Sequence, residues 1–439
     1  MMHILAILGA WFGFANPVYQ FPPAALLLPA ALIGLALEAE SKRTAFYSGW
    51  LAGTLAYSAS LYWIALPVHN YGPLPWIVAG TCPLLLGIYF GLYTGVFALA
   101  MNWAKNRLSW LLWGLYAGSI WTVLESLRAH LLTGFPWLSL SQAFSPWPQV
   151  IQSVQYLGAF GLSGLLVAIV AWLIRMPRSW AALAPALAAI CAVLGTGFIL
   201  WNQPVAGNSS LQVGLIQGNI DQSRKWEKDQ QRRIVTKHLE LSRAVLRESD
   251  PLILIWPETA VPLYLQDGSE LRKMITEFCR EHEIALLAGA PGYRQVKDSV
   301  RLYNKAYLIN AKGEIADSYA KRHLVPFGEY VPLQGLFPFL NKLVPGAGDF
   351  YPGNNPGPLR LKELALGPLI CYEIIFPGLV QERVQEGANI LVNISNDAWF
   401  GQSSGPAQHL NQAVLRAVEQ ERYLVRSTNT GISGIIDPR

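Results

Sequence analysis

Leu252-Ile253-Leu254-Ile255-Trp256-Pro257-Glu258 and Gly367-Pro368-Leu369-Ile370-Cys371-Tyr372-Glu373 share one form. A short apolar run, the length of a buried strand, ends on a reactive side chain. The surrounding sequence repeats the apolar run and alternates it with helical patterns. Leu211–Ile216 reads as a strand, Glu227–Arg247 as an amphipathic helix, Glu270–Glu283 as a helix and Ile284–Ala288 as a strand. Leu302–Ile309 and Glu314–Tyr319 read as a hairpin around Lys312-Gly313. Leu379–Gln385 and Ala407–Glu421 read as helices between the strands Ile390–Ile394, Leu424–Ser427 and Ile432–Ile436. This alternation predicts a layered α/β domain.

In such sheets chemistry collects just past the carboxyl ends of strands. Glu258 and Cys371 stand there, and Lys321 follows Ile-Ala-Asp-Ser-Tyr-Ala. Taken singly, each has an ordinary reading. Cys371 would be a small buried hydrophobe, Glu258 a turn carboxylate, and Lys321 part of a solvated Lys-Arg-His patch. Glu329 would merely balance Lys321 or Arg322. Together on one sheet edge they suffice for acyl transfer. The thiol attacks, the carboxylate takes its proton, and the ammonium holds charge developing on a carbonyl oxygen. Residues 321–358 are rich in Pro, Gly and aromatics, and a loop that long is usually functional. Gly401-Gln402-Ser403-Ser404-Gly405 fits the serine-hydrolase pattern G-x-S-x-G, but no strand runs straight into the serine, which that motif requires. Cys279 reads as inert core. The four cysteines form no CxxC pair and the seven histidines no HExxH, so no disulfide frame, metal or cofactor is expected.

The remaining sequence is of another kind. Charged residues make up 14% of the 439, against roughly 25% in a soluble domain. Only ten of them fall in residues 1–202: Glu38, Glu40, Lys42, Arg43, Lys105, Arg107, Glu125, Arg128, Arg175 and Arg178. A single soluble globule and a disordered chain are both excluded. About seven apolar stretches predict membrane spans: 3–19, 22–38, 45–68, 75–101, 109–127, 156–174 and 180–201. Pro17, Pro22 and Pro23 break the first two into a bent pair. The N-terminus lacks a basic n-region and a small-residue cleavage site, so it reads as a span rather than a cleaved signal. Lys42/Arg43, Lys105/Arg107 and Arg175/Arg178 all fall on one side of the alternating loops. The positive-inside rule makes that side cytoplasmic and delivers Asn202 to the outside. Glu125 and Arg128, three apart, read as a structural or interfacial ion pair, with a head-group contact as the alternative. Trp63, Trp76, Trp110, Trp113, Trp121, Trp137 and Trp147 read as interfacial belts. Of the net charge of +5, little lies in the second half, so nucleic acid is not an expected partner. The expected division is a helical membrane domain over 1–202 and a catalytic domain over 203–439.

Four strings carry a resemblance: Trp256-Pro257-Glu258; Lys321-Arg322-His323-Leu324-Val325-Pro326-Phe327-Gly328-Glu329-Tyr330-Val331-Pro332; Ile370-Cys371-Tyr372-Glu373; and Ser395-Asn396-Asp397-Ala398-Trp399-Phe400-Gly401. The second half resembles the nitrilase (carbon–nitrogen hydrolase) superfamily, whose Glu-Lys-Cys triad sits on an αββα sandwich. With Gly134-Phe135-Pro136-Trp137-Leu138 and the preceding spans, the chain is similar to the apolipoprotein N-acyltransferase family. The resemblance implies Cys371 as nucleophile, Glu258 as base and Lys321 as oxyanion support, shared with the Tyr372 amide. It implies Glu329 as the carboxylate orienting Lys321, and Tyr372 and Glu373 as necessary neighbours of the nucleophile. Trp226 would flank the substrate entrance and Asn304 line the site.

The implied reaction is a ping-pong transfer through a cysteine thioester. A membrane phospholipid is the acyl donor, and the amine of a diacylglyceryl-modified apolipoprotein is the acceptor. The implied location is the bacterial inner membrane, with the catalytic domain periplasmic; a monomer is expected. Family members usually continue past Ile435-Ile436-Asp437-Pro438 with further strands and a last span, whereas this sequence stops at Arg439. Two other readings compete. A membrane-tethered amidase would use water as acceptor, and a lipid transporter or scaffold would carry a degenerate enzyme domain.

Overall fold

The computed structural model describes the chain apart from residues 73, 178, 206–209, 224, 226, 298, 333–348 and 355–356. The apolar half forms helices α1 (Met2–Gly13), α2 (Leu27–Glu38), α3 (Lys42–Ser60), α4 (Ala65–Asn70), α5 (Trp76–Ala79), α6 (Thr81–Ala104), α7 (Trp110–Arg128), α8 (Pro148–Ile151), α9 (Val154–Ile174) and α10 (Ala184–Trp201). Small residues set the packing. A Cβ at Gly53 of α3 would lie 1.9 Å from Thr94 Oγ1 of α6, so these helices approach as small-residue faces do in lipid.

Every stretch expected to span is helical, but fewer than seven reach a membrane's length. Among the described residues three are long and apolar enough: Trp76–Ala104, Val154–Ile174 and Trp180–Trp201. Lys42–Ser60 and Tyr62–Asn70, bent by 60°, make a fourth if taken as one span. The shortfall at the N-terminus is geometric. At about 1.5 Å per residue, the 12 residues of α1 reach about 18 Å against a core of about 30 Å. Asn16 ends that helix by donating to the carbonyls of Trp11, Phe14 and Tyr19.

Two other expectations change here. Glu125 and Arg128 are not paired with each other. Glu125 accepts from Trp121 Nε1 and Leu140 N, both at 2.8 Å. Arg128 lies over the Phe90 ring, 4.4 Å from its centroid, and donates to Leu138 O. Both residues therefore brace the 134–140 segment. Nor do the tryptophans form one belt. Trp63, Trp113, Trp121 and Trp137 are buried, because their rings fill the helix core, whereas Trp76 and Trp147 are exposed.

The second half builds two five-stranded sheets. The first runs β1 (Val213–Leu215), β2 (Ile253–Ile255), β3 (Ala285–Val296), β4 (Ser299–Ile309), β5 (Ile315–Ala320). Its first three strands are parallel and its last two antiparallel. The second contains β6 (Leu359–Leu361), β7 (Leu364–Ile370), β8 (Ile390–Ser395), β9 (Leu424–Thr428) and β10 (Gly434–Ile436), with β7, β8 and β9 parallel. Helices α11 (Lys228–Glu248) and α12 (Glu270–Glu281) bury Val235, Leu239, Ile275 and Phe278 against the outer face of the first sheet. Helices α13 (Pro377–Gln385) and α14 (Gly405–Gln420) pack Val380, Leu415 and Val418 with the second. The inner faces meet through Ile253, Ile255 and Leu287 on one side and Leu366 and Ile370 on the other. Ser427 Oγ donates across this gap to the carbonyls of Ile216 and Ile255. The fold is thus the expected αββα sandwich preceded by apolar helices.

Helix α14 also docks on the apolar half. Gln408 Oε1 accepts from the indoles of Trp63 (2.9 Å) and Trp137 (2.8 Å). Its Nε2 donates to Ala15 O and Ser60 O. Every polar atom of that buried amide is matched by a group from the other half, which joins the two halves rigidly.

Candidate active site

Glu258 lies two residues past Trp256, which follows β2, in a turn that crosses β3 closely. A Cβ at Gly289 would sit 2.6 Å from Pro257 O and Thr259 N, so only glycine allows that crossing. Lys321 directly follows β5, and its N–H donates to Asn304 O of β4. Cys371 directly follows β7 and opens the helical turn Cys371–Ile375 with φ +52°, a left-handed conformation uncommon for a residue with a Cβ. The three predicted side chains therefore converge from the ends of three strands on two sheets.

Lys321 is 1% exposed and lies between two buried carboxylates. Its Nζ is 2.8 Å from Glu329 Oε2 and 3.9 Å from Glu258 Oε1. Asn304 Nδ2 bridges the same pair, donating to Glu258 Oε1 (2.7 Å) and Glu329 Oε1 (3.0 Å). Val325 N donates to Glu329 Oε2. Among the described residues Glu258 Oε2 has no hydrogen-bond partner.

Electrostatics follow from burial and this pairing. Burial alone would discharge Lys321, but Glu329, Glu258 and Cys371 outweigh it and hold the ammonium above its ordinary range. Burial pushes Glu258 up; Lys321 pulls back and Glu329 pushes further, leaving it raised. Burial, then the Glu258 charge, push the Cys371 thiol up to about 12 against the pull of Lys321. The thiol is therefore protonated at neutral pH. Attack must be coupled to proton removal, and a carboxylate of raised basicity beside the thiol is suited to that. His323, lowered to about 4 by burial and by Lys321, stays neutral.

Glu373 anchors the turn. Its Oε1 accepts from Tyr319 OH, Arg322 N and His323 N, and its Oε2 from Ile370 N. It thus ties the Cys371 strand end to the Lys321 strand end. The Tyr372 hydroxyl donates to Gly134 O, and its ring stacks 6.1 Å from Phe135, which seats the site against the 134–138 segment of the apolar half. Trp226 lies outside the described residues, as do 333–348 and 355–356 of the Pro- and aromatic-rich segment 321–358. Ser403 of the G-x-S-x-G string caps a turn, donating to Phe400 O and accepting from Gly405 N. Cys279 is fully buried in α12, where burial raises it to about 12.

Sequence reasoning missed Lys225, whose buried Nζ donates to Glu258 O at 3.2 Å; burial lowers it to about 8 against the pull of Glu258. It also missed the polar cluster behind Cys371, formed by Asn393, Ser395, Asp397, His409 and Arg426. Their only signal is several polar residues within strands and a helix face that otherwise read as core.

A family model for the carbon–nitrogen hydrolases matches residues 212–439, and one for the apolipoprotein N-acyltransferase N-terminal domain matches residues 8–173. The chain is 38% identical to the apolipoprotein N-acyltransferase of Geobacter metallireducens, over 100% of this chain and 85% of that protein. It is 33% identical to that of Azotobacter vinelandii, over 98% and 84%. Among solved structures it is similar to Saccharomyces cerevisiae Nit3, a member of the nitrilase superfamily, at 20% identity and TM-score 0.40, over 52% of this chain and 83% of that one. With both halves matched in order and relatives aligned along 98–100% of this chain and 84–85% of their own length, the chain belongs to the apolipoprotein N-acyltransferase family.

Proposed function

We propose that this chain transfers an acyl chain from a membrane phospholipid to the α-amine of the lipid-modified N-terminal cysteine of an apolipoprotein, through a thioester on Cys371. The observation that carries the reading is the buried Lys321 ammonium held by Glu329 and shared with Glu258, beside a thiol at a strand end. Glu258 takes the Cys371 proton as sulfur attacks the ester carbonyl. The oxyanion is met by Lys321 Nζ and the Tyr372 N–H. The carbon–oxygen bond breaks, Glu258 returns the proton to the alkoxide, and a lysophospholipid leaves. The acceptor amine then attacks the thioester and gives its proton to Glu258. Collapse expels the Cys371 sulfur, which is reprotonated, and an amide remains.

Residues 1–202 form the membrane part in this reading, and 203–439 the catalytic part. The membrane part lets insoluble acyl chains stay in lipid while the ester reaches the thiol. We place the chain in the bacterial inner membrane with the catalytic part on the periplasmic side, from the basic residues flanking the apolar stretches.

The test is acyl transfer to a diacylglyceryl-cysteine peptide in phospholipid vesicles. C371A abolishes transfer and C371S leaves little, since a hydroxyl is far harder to ionise. Full activity in C371A would contradict the assignment. Release of amine from small soluble amides without lipid would favour the amidase instead.

A further inference from the structure

Behind the nucleophile, away from Glu258 and Lys321, the Cys371 carbonyl oxygen meets two buried side-chain nitrogens: His409 Nε2 of α14 at 3.3 Å and Asn393 Nδ2 of β8 at 3.4 Å. Both are held from behind. His409 Nδ1 lies 2.9 Å from Asp397 Oδ1, and Asp397 Oδ2 accepts from Arg426 Nη2 at 2.7 Å. Arg426 Nη1 donates to Asn393 Oδ1. Asn393, Asp397, His409 and Arg426 are each at most 1% exposed. Arg426 Nη2 also stands 3.0 Å from His409 Nδ1. A ring protonated on both nitrogens donates to Asp397 Oδ1 and to the Cys371 carbonyl; a neutral ring with its proton on Nε2 keeps the donation to the carbonyl and accepts from Arg426, which offsets the Nδ1 lone pair facing Asp397. A proton on Nδ1 alone would set the Nε2 lone pair against the carbonyl oxygen.

A carbonyl and the following N–H belong to one rigid peptide plane and point in opposite directions. The Cys371 carbonyl and the Tyr372 N–H are that pair. As one of the first amides of a helical turn, the Tyr372 N–H has no partner inside it. The φ of +52° at Cys371 turns this plane away from ordinary strand geometry, so something must hold it there.

We propose that His409 and Asn393, braced by Asp397 and Arg426, clamp the Cys371 carbonyl and thereby aim the Tyr372 N–H at the oxyanion. This rests on Cys371 being the nucleophile. His409 and Asn393 are positioning residues: they touch neither substrate nor the reacting sulfur. Although His409 and Asp397 resemble the partners of a Cys-His-Asp triad, the imidazole bonds the nucleophile's main chain and not its thiol. The base remains Glu258.

The test compares two reactions of the same sulfur in the full-length protein in phospholipid nanodiscs. Acylation by phospholipid passes through an oxyanion, whereas alkylation by iodoacetamide displaces iodide and forms none. Alkylation also reads the thiol's ionisation, which Glu258, Lys321, Asp397 and Ser395 influence. H409A slows acylation about 10- to 100-fold, since one oxyanion donor is worth about 10²–10³ and is here misaimed rather than removed. It leaves the alkylation rate within about threefold. H409Q, whose amide nitrogen reaches the place of Nε2, restores acylation to within about threefold of the starting protein. If H409A does not fold, H409N, whose amide falls one bond short, takes its place. Unchanged acylation in H409A would overturn the clamp, and so would parallel loss of both reactions or equal damage in H409A and H409Q. An unmodified Cys371 in the parent protein after phospholipid treatment would instead overturn the thioester reading itself.

Discussion

Glu329→Gln isolates what the second carboxylate contributes. The two oxygens of Glu329 serve different donors. Oε1 accepts from Asn304, while Oε2 accepts from Val325 N and pairs with Lys321 at 2.8 Å. Glutamine has one acceptor for these donors, and its amide nitrogen must face either the ammonium or the Asn304 amide. Removing one partner of a buried pair costs about 3–5 kcal/mol, because the remaining charge is uncompensated. Lys321 relieves that cost by moving toward Glu258, now 3.9 Å away, and leaves the oxyanion position. Losing one oxyanion contact lowers kcat about 10²–10³-fold, or about 2.7–4 kcal/mol. A second effect has the opposite direction. The Glu329 charge raises the Glu258 pKa, so its removal lowers that pKa. Glu258 must be ionised to take a proton, so the acidic limb of the activity profile moves to lower pH as kcat falls. The assay is lysophospholipid release and lipopeptide acylation in vesicles between pH 4 and 9, a range that opens near the ordinary carboxylate pKa of about 4.3 and extends upward, the direction in which Glu258 is shifted. Retained kcat in E329Q, or an acidic limb displaced to higher pH, would refute the reasoning.

Two further changes test the scaffold. In G289A the new methyl group meets Pro257 O and Thr259 N at 2.6 Å. Overpacking of this kind costs about 1–3 kcal/mol and displaces Glu258, so kcat falls at least about tenfold and thermal unfolding begins at lower temperature. Unchanged turnover would mean that the turn yields freely. Q408L leaves the indole N–H groups of Trp63 and Trp137 without their acceptor at the junction of the halves. At about 1–3 kcal/mol for each buried donor, stability falls by about 2–6 kcal/mol, read as a lower melting temperature in detergent. An unchanged Tm would remove Gln408 from the coupling.

Much of this architecture is written locally. Buried parallel strands need apolar runs, and a strand that ends on Glu258 or Cys371 shows its reactive residue in the sequence. The helices of the second half announce themselves by period, and α11 and α12 lie within a few residues of their expected limits. The β3–β4 hairpin was hidden because its outer part, Tyr293–Arg301, is polar on an exposed edge and does not alternate. Apolar composition marks the helices of the first half but not their lengths, since it does not distinguish a long apolar helix from short ones such as α1 and α2. Asn304 could be placed at the site, but not its bridge between Glu258 and Glu329, since that depends on the register of β4 against β5. Asp397, His409 and Arg426 were invisible as a group. They come from a turn, a helix and a strand, and nothing in their spacing records that they meet behind Cys371.

The most direct measurement is mass spectrometry of the full-length protein after incubation with phospholipid alone, without acceptor. Acyl transfer by way of a thioester predicts a mass increase of one acyl chain, placed by peptide mapping on the fragment containing Cys371, absent in C371A and removed by hydroxylamine or by the acceptor peptide. An unmodified protein under conditions that support full transfer, or an adduct on Ser403 or another residue, would contradict it.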